Sequence, residues 1–311
     1  MHTSDVATGP ETYLSVLIRT RNEAKSLRQV LEALAAQRCS FKWEIIVVDN
    51  ESEDETLEIC KQHRARVISI QRNEFTYGRA LNLGIRNSIG QFVLICSAHC
   101  IPVGSYFLES SVAPFADPKM AAVRCLVGSY KDQMAEWYKP RDIQYESPEE
   151  QKRAESDSEW VRYYPAASCC VIRRSVWEQV PYNEELEAVE DKLWASEVLS
   201  KGFKVRCCAD AVFTYNRYNR RTKDNLIKTT REFRALYRIR GYVPLTWSRF
   251  FIRVVRFMLL APLAGIRYFL VNVISDACLV TIPLQAKFSP RAGSLAEFDE
   301  PSEPIIRLPR I

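Results

Sequence analysis

Four short stretches hold the side chains best suited to chemistry. Thr20-Arg21-Asn22-Glu23 follows one apolar run, Asp49-Asn50-Glu51-Ser52 ends a second, and Ser97-Ala98-His99-Cys100 ends a third. Glu190-Asp191 opens a stretch in which Leu193, Val198 and Leu199 supply a helix face. A carboxylate that ends a fully apolar run, as Asp49 does, is partly buried and needs a partner to offset desolvation. Ser52 and Asn22 are residues of the type that cap helices, and Ser52 is expected to cap. His99 is placed to bind a metal, with a hydrogen-bonded edge histidine as the simpler alternative. Glu190 and Asp191 fall in the first turn of a helix, where the dipole favours carboxylates. They are a candidate functional pair as well as a helix-stabilising one.

Several chemistries are excluded. No G-x-G-x-x-G follows the first run and no G-x-x-x-x-G-K-[ST] occurs, which removes dinucleotide-binding dehydrogenases and P-loop enzymes. The histidines are His2, His63 and His99, and neither of the last two has the spacing of a Ser-His-Asp or Cys-His triad.

The elements that would position these groups alternate. Tyr13–Arg19, Trp43–Asp49, Arg66–Gln71 and Gln91–Ser97 read as buried strands. Between them, Leu27, Val30, Leu31 and Leu34 recur at helical spacing, as do Leu81, Ile85 and Ile89. Ser52-Glu-Asp-Glu55 has the pattern of a capping box before Leu57, Ile59 and Cys60. Such alternation predicts an α/β fold: an open, mostly parallel sheet with helices on both faces. Ligands of such sheets bind beyond the carboxyl ends of the strands, where the first three polar stretches fall. Met120–Val127 reads as a further strand, residues 131–160 as a polar excursion, and Tyr164–Tyr215 as further strands and helices.

The chain has 311 residues with 47% hydrophobic and 26% charged residues, ordinary values for a folded protein. Its net charge of +5 is unevenly spread. From Arg217 to Arg267 there are thirteen Lys/Arg against Asp224 and Glu232, which is +11; the remaining 30 basic and 36 acidic residues give −6. Arg249, Arg253 and Arg256 form one stripe on an otherwise apolar helical stretch, Arg249–Ala261. This pattern fits an anionic membrane surface, with packing on the body or a homo-oligomer interface as the alternative. Nucleic acid is not expected, because no recognition helix or aromatic-basic sheet motif accompanies the charge. The ten cysteines include two adjacent pairs and no C-x-x-C, and the start is polar. A reducing, cytoplasmic setting is therefore expected. The expected division is a flexible 1–12, a catalytic domain at 13–216, a basic amphipathic segment at 217–284 and a polar tail at 285–311.

Taken together, residues 13–216 resemble the inverting glycosyltransferases of family two, which have the GT-A fold. Ser15-Val-Leu-Ile-Arg-Thr-Arg-Asn-Glu23, with Leu27 and Leu31, is similar to their first nucleotide-contacting loop. Ile45-Ile-Val-Val-Asp49-Asn-Glu-Ser-Glu-Asp-Glu-Thr56 is similar to V-D-D-x-S-x-D-x-T, and Tyr77-Gly-Arg-Ala-Leu-Asn82-Leu-Gly84 to G-x-A-x-N-x-G. Glu190-Asp191, with Gly202 eleven residues later, resembles the helix that carries the base. The chain departs from the pattern at Asn50, at Leu81, and at Ser97-Ala98-His99, which stands in place of D-x-D. A bacterial polysaccharide subgroup also reads S-A-H there. Tyr215 stands near the position of the family's later metal-binding histidine.

The resemblance implies a reaction and a set of roles. The donor is a nucleotide sugar, UDP-linked, and the acceptor a glycan hydroxyl, on a lipid carrier such as a polyprenyl diphosphate. Asp191 is the general base and Glu190 orients a substrate. Asp49 meets the donor base, Thr20, Arg21 and Glu23 line the nucleoside, and Arg79 and Asn82 lie near the ribose or diphosphate. Ser97 and His99 serve the diphosphate, His99 with a divalent cation, Mn2+ or Mg2+. The protein would work in the cytoplasm, peripherally on the inner face of the membrane, in surface polysaccharide biosynthesis. The alternative is a degenerate donor-binding or scaffold protein without transferase activity.

Overall fold

The computed structural model describes residues 13–128, 141–155, 164–186 and 188–215, and isolated positions beyond them. The chain divides into two compact units. The first comprises Met1–Glu185, Glu190–Tyr218 and Ser294–Ala296; the second comprises Leu186–Val189, Asn219–Gly293 and Glu297–Ile311. In the second unit Arg231, Glu232, Arg234, Ala235, Ile252 and Ala277 are helical. The rest of the expected basic amphipathic segment, the N-terminus and the tail lie outside the described residues. Among the described residues no helix is long and apolar enough to cross a membrane.

The first unit is built on a mixed sheet of nine strands among the described residues, in the order β3-β2-β1-β4-β8-β6-β9-β5, with β7 paired to β9. The strands are β1 Leu14–Thr20, β2 Trp43–Asp49, β3 Arg66–Ser69, β4 Phe92–Ser97, β5 Cys100–Pro102, β6 Met120–Val127, β7 Arg141–Ile143, β8 Cys169–Arg173 and β9 Lys204–Tyr215. The first four run parallel, with Thr20 beside Asp49 and Arg19 beside Ser97 in register. Their carboxyl ends therefore share one edge. β8 runs antiparallel to β4, with Cys169 opposite Cys96. Its opposite direction brings the chain just before β8, residues 164–168, to that same edge.

Helices cover both faces, as the alternation of apolar strands and helical spacing predicts. α1 (Ala24–Ala35) and α2 (Thr56–Gln62) pack on Leu14, Val16 and Ile18, the even-numbered face of β1. Leu27, Val30, Leu31 and Leu34 of α1 are fully buried there, each contributing about 1.5–3 kcal/mol. α3 (Tyr77–Arg86) packs on the odd-numbered face, where a Cβ on Gly84 would lie 2.2 Å from Cδ1 of Leu17. α4 (Phe107–Val112), α5 (Pro148–Ala154), α6 (Arg174–Gln179) and α7 (Glu190–Ser200) are the further α-helices of this unit among the described residues. Cys60, Cys96, Cys100, Cys125, Cys169 and Cys170 are buried free thiols that act as small apolar side chains. Burial pushes the Cys169 thiol far above its ordinary range.

Two readings of the sequence are corrected. The polar excursion at 131–160 contains β7 and α5. Ser147 Oγ accepts the Glu150 N–H at 3.1 Å, and Glu150 Oε2 reaches back to the Glu146 N–H at 2.8 Å. Conversely, Ser52-Glu-Asp-Glu55 is no capping box: α2 begins at Thr56 with no side-chain cap from Glu55. Ser52 is drawn instead into the loop between β2 and α2.

Candidate active site

The loops after β1 and β2 are stitched together by the S-x-D-x-T residues. α1 has no side-chain cap from Glu23, its N-cap residue, so its entry needs acceptors from elsewhere. Ser52 Oγ accepts the Asn22 N–H at 2.9 Å, Thr56 Oγ1 the Glu23 N–H at 3.2 Å, and Asp54 Oδ2 the Ala24 N–H at 3.0 Å. Asn22 Oδ1 returns the contact by accepting the Glu53 N–H at 2.8 Å. Asn22 holds a left-handed φ of 51°, which asparagine tolerates well.

Asp49 is part of this stitching. Its Oδ2 accepts the Ser52 N–H at 3.0 Å and its Oδ1 accepts the Ser52 hydroxyl. With 1% of its surface exposed, it shapes the loop between β2 and α2. The neighbouring Asn50, which departs from the family pattern, differs in its bonding. It is buried, and its Oδ1 has no hydrogen-bond partner.

The same holds along the whole edge. Arg19 Nε and Nη1, Thr20 Oγ1, Asn50 Oδ1 and His99 Nε2 are buried without a hydrogen-bond partner. Buried polar atoms are almost always paired, so a cluster of unpaired ones marks a place where a ligand completes the set. Arg21 is half-buried in the loop beyond Thr20, and Ser97 is half-buried at the end of β4. His99 Nδ1 lies 2.7 Å from Glu23 Oε1, so Glu23 partners the histidine at this edge. The His99 ring lies 6.0 Å from that of Tyr215, whose hydroxyl donates to Ser168 Oγ at 3.2 Å.

Glu190 and Asp191 open α7, as expected. Asp191 Oδ2 accepts the Ala167 N–H at 2.7 Å, and its Oδ1 accepts the Lys192 N–H at 2.8 Å. Lys192 Nζ ties down the same segment through the Tyr164 and Pro165 carbonyls, at 2.8 and 2.9 Å. Glu190 lies 3.8 Å from Nη1 of Arg19. Arg19 Nη2 donates to the Ala167 carbonyl at 3.0 Å, and its guanidinium lies over the Tyr77 ring at 5.1 Å. In the sequence Arg19 reads as the end of a strand. The available signal is a charged residue near the end of a strand whose two faces are both otherwise buried.

The G-x-A-x-N-x-G stretch packs against the segment that precedes α7. Asn82 is 2% exposed, and all four of its hydrogen-bonding positions are filled by protein. Its Nδ2 donates to the Tyr182 carbonyl at 2.8 Å and to Glu184 Oε1 at 2.9 Å. Its Oδ1 accepts Trp177 Nε1–H at 2.8 Å and the Tyr182 N–H at 3.0 Å. Its amide is thus fully occupied by protein groups. Arg79 Nε lies 3.4 Å from Glu184 Oε2, and Arg86 donates to Glu184 Oε1 at 3.1 Å. Arg79 too is turned to the segment that leads into α7. Burial opposes the charge on Glu184, but hydrogen bonds from Asn82 and Arg86 and the nearby Arg86 and Arg79 charges outweigh it. The carboxyl is held below its ordinary range.

The cation implied by the resemblance finds one fitting donor, His99 Nε2, backed by a carboxylate on the other ring nitrogen. Among the described residues no three His, Cys, Asp or Glu side chains form a ready metal cage. Mn2+ or Mg2+ would thus be held by His99 together with oxygens of a bound diphosphate and water.

Comparisons with known proteins give the family and the fold. The chain is 26% identical over 208 residues to the O-antigen chain rhamnosyltransferase RfbN of Salmonella typhimurium, covering 65% of this chain and 66% of that protein. Among solved structures, it resembles the mannosyltransferase PcManGT from Pyrobaculum calidifontis in complex with GDP-Man and Mn2+. That match has a TM-score of 0.61 at 15% identity and covers 92% of this chain and 91% of the other. Glucosyl-3-phosphoglycerate synthase from Mycobacterium tuberculosis, with Mn2+ and UDP, matches with a TM-score of 0.52 at 15% identity, covering 74% and 80%. At such identities these structures show the GT-A-like fold. The model of the family "Glycosyl transferase family 2" matches residues 15–180, more than half of the chain, and the protein belongs to that family.

Proposed function

We propose that this protein is an inverting glycosyltransferase that moves a sugar from a nucleotide-sugar donor to a glycan hydroxyl in surface polysaccharide synthesis. One observation carries the reading: the unpaired polar atoms of Arg19, Thr20, Asn50 and His99 lie on the strand edge that α7 enters with Asp191. The donor is assigned as UDP-linked. Asn50 offers an amide, which can both donate and accept, to the N3–H and O4 of a uracil. Thr20 and Arg21 line the nucleoside. Ser97 and His99 face the diphosphate, and a divalent cation held by His99 would supply charge to the leaving group.

Asp191 takes the proton of the acceptor hydroxyl as that oxygen attacks the anomeric carbon. The bond from that carbon to the diphosphate oxygen breaks on the opposite side, and the configuration inverts. The Ala167 N–H fixes the carboxylate for this step, and Glu190 orients a substrate. No covalent sugar–protein bond is needed. The test is a panel of UDP-, dTDP- and GDP-sugars with lipid-linked acceptors such as polyprenyl-diphosphate glycans, measuring nucleotide release and product stereochemistry. Retained anomeric configuration, or no release with any donor, would overturn the reading.

Residues 217–284 are assigned to the cytoplasmic face of an anionic membrane, where the acceptor's lipid would lie. Thirteen Lys/Arg between Arg217 and Arg267 support this, each worth about 1 kcal/mol near such a surface. Flotation with vesicles containing anionic lipid tests it. Failure of the full chain to float at low salt would instead favour packing or a homo-oligomer interface.

A further inference from the structure

We infer that Arg19 is the residue that binds the diphosphate of the donor. The inference rests on the transferase reading above. Arg19 is a buried cation whose side chain is 12% exposed, at the carboxyl end of the strand that lies between β2 and β4. Its register neighbours are Val48, two residues before Asn50, and Ser97, two residues before His99. A nucleotide read by Asn50 with its phosphates at Ser97 and His99 must cross the end of β1, where Arg19 stands.

The guanidinium is held but not satisfied. It carries five N–H donors. Nη2 is used by the Ala167 carbonyl, while Nε and Nη1 are buried without an acceptor. Glu190 lies at 3.8 Å from Nη1, close enough for charge and too far for a hydrogen bond. The Tyr77 ring at 5.1 Å braces the guanidinium. The open Nε–H and Nη1–H groups, on two edges of the planar guanidinium, are donors for phosphate oxygens. A purely structural arginine would have closed those bonds onto protein, because leaving charged donors buried and unpaired is costly. The missing acceptor is therefore an anion, and on this edge it is the diphosphate.

The test is calorimetric titration of UDP and of uridine, in EDTA, for wild type, Arg19→Gln and Arg19→Lys. dTDP with thymidine or GDP with guanosine replaces the pair if wild type prefers it. Thermal melts check the fold. Wild type is expected to favour the diphosphate over the nucleoside at least tenfold. Arg19→Gln should lose most of that ratio with nucleoside affinity unchanged. Arg19→Lys, a point charge without the planar guanidinium, should lower the ratio severalfold, and it decides the matter if the Gln variant does not fold. A ratio unchanged in the folded variants overturns the role of Arg19 alone. A wild-type protein that binds none of the three diphosphates overturns the transferase reading, and this inference with it.

Discussion

Glu23 Oε1 and His99 Nδ1 stand 2.7 Å apart, although the two residues are 76 positions apart in the chain. Glu23 fixes the ring and thereby determines where Nε2 points. Glu23→Ala should lower turnover and Mn2+ affinity about 10–100-fold, as loss of an outer partner of a metal-ligating histidine does. Glu23→Gln should retain part of both, since its amide can still accept from Nδ1. Turnover followed across a Mn2+ titration, with an EDTA control, checks this. Equal effects of Ala and Gln would show that orientation is not the role.

Asp191→Asn should keep the fold, because the amide oxygen can still accept the Ala167 N–H and only the Lys192 N–H, in the first turn of α7, loses its acceptor. It should keep donor affinity and lose about 10²–10⁴-fold in turnover. Single-turnover rates at saturating substrates, alongside UDP binding, separate the two effects. A rate within threefold of wild type would remove Asp191 as the base.

Asp49 and Asn50 are adjacent and should fail differently. Asp49→Ala leaves the Ser52 N–H and hydroxyl without acceptors and should destabilise by about 1–3 kcal/mol. Asn50→Ala removes nothing that the protein itself uses through Oδ1, so the melting temperature should hold while the donor KM rises about five- to tenfold. Denaturant melts and donor kinetics on both variants check the contrast.

Asn82→Ala should be a stability mutant. It strands the Trp177 and Tyr182 N–H groups and the Tyr182 carbonyl, and each buried orphan costs about 1–3 kcal/mol. Gly78→Ala should also destabilise, by about 1–3 kcal/mol, because its Cβ would lie 2.1 Å from the Asn183 carbonyl oxygen. Urea midpoints report both losses. A normal midpoint with a raised donor KM for Asn82→Ala would return that residue to the ligand.

Glu184 gives a sign for pH. Its folded carboxyl is held below its ordinary value of 4.5. The stability it confers is therefore fully present above the unfolded value and is lost as pH falls through the lower, folded one. Wild type should lose stability over that acid window more steeply than Glu184→Gln. Urea melts of both proteins from neutral pH down to pH 3 measure it, and parallel curves would contradict it.

The sheet was largely legible in the sequence because its central strands are unbroken apolar runs. Trp43–Asp49, Met120–Val127 and the start of α7 at Glu190 fall where the pattern places them. Side-chain destinations were not legible. Ser52-x-x-Glu55 and Ser147-x-x-Glu150 carry the same letters, yet only the second caps a helix. The first serine is taken by Asp49, three residues before it in the chain, and by Asn22 of another loop. Asn82 stands in a recognised motif, but a motif does not reveal that four protein groups surround its amide. Arg19 was hidden for the opposite reason: at the end of an apolar run it reads as a boundary, and its significance lies in the bonds it lacks.

Arg19 and Asp191 grip opposite sides of one residue, the first through the Ala167 carbonyl and the second through its N–H. The two charged groups thus communicate without touching. Substitutions at 19 and 191 should therefore not be additive. In a double-mutant cycle, the second change would remove a restraint that the first had already loosened, and the coupling energy would report the stiffness of a single residue of backbone.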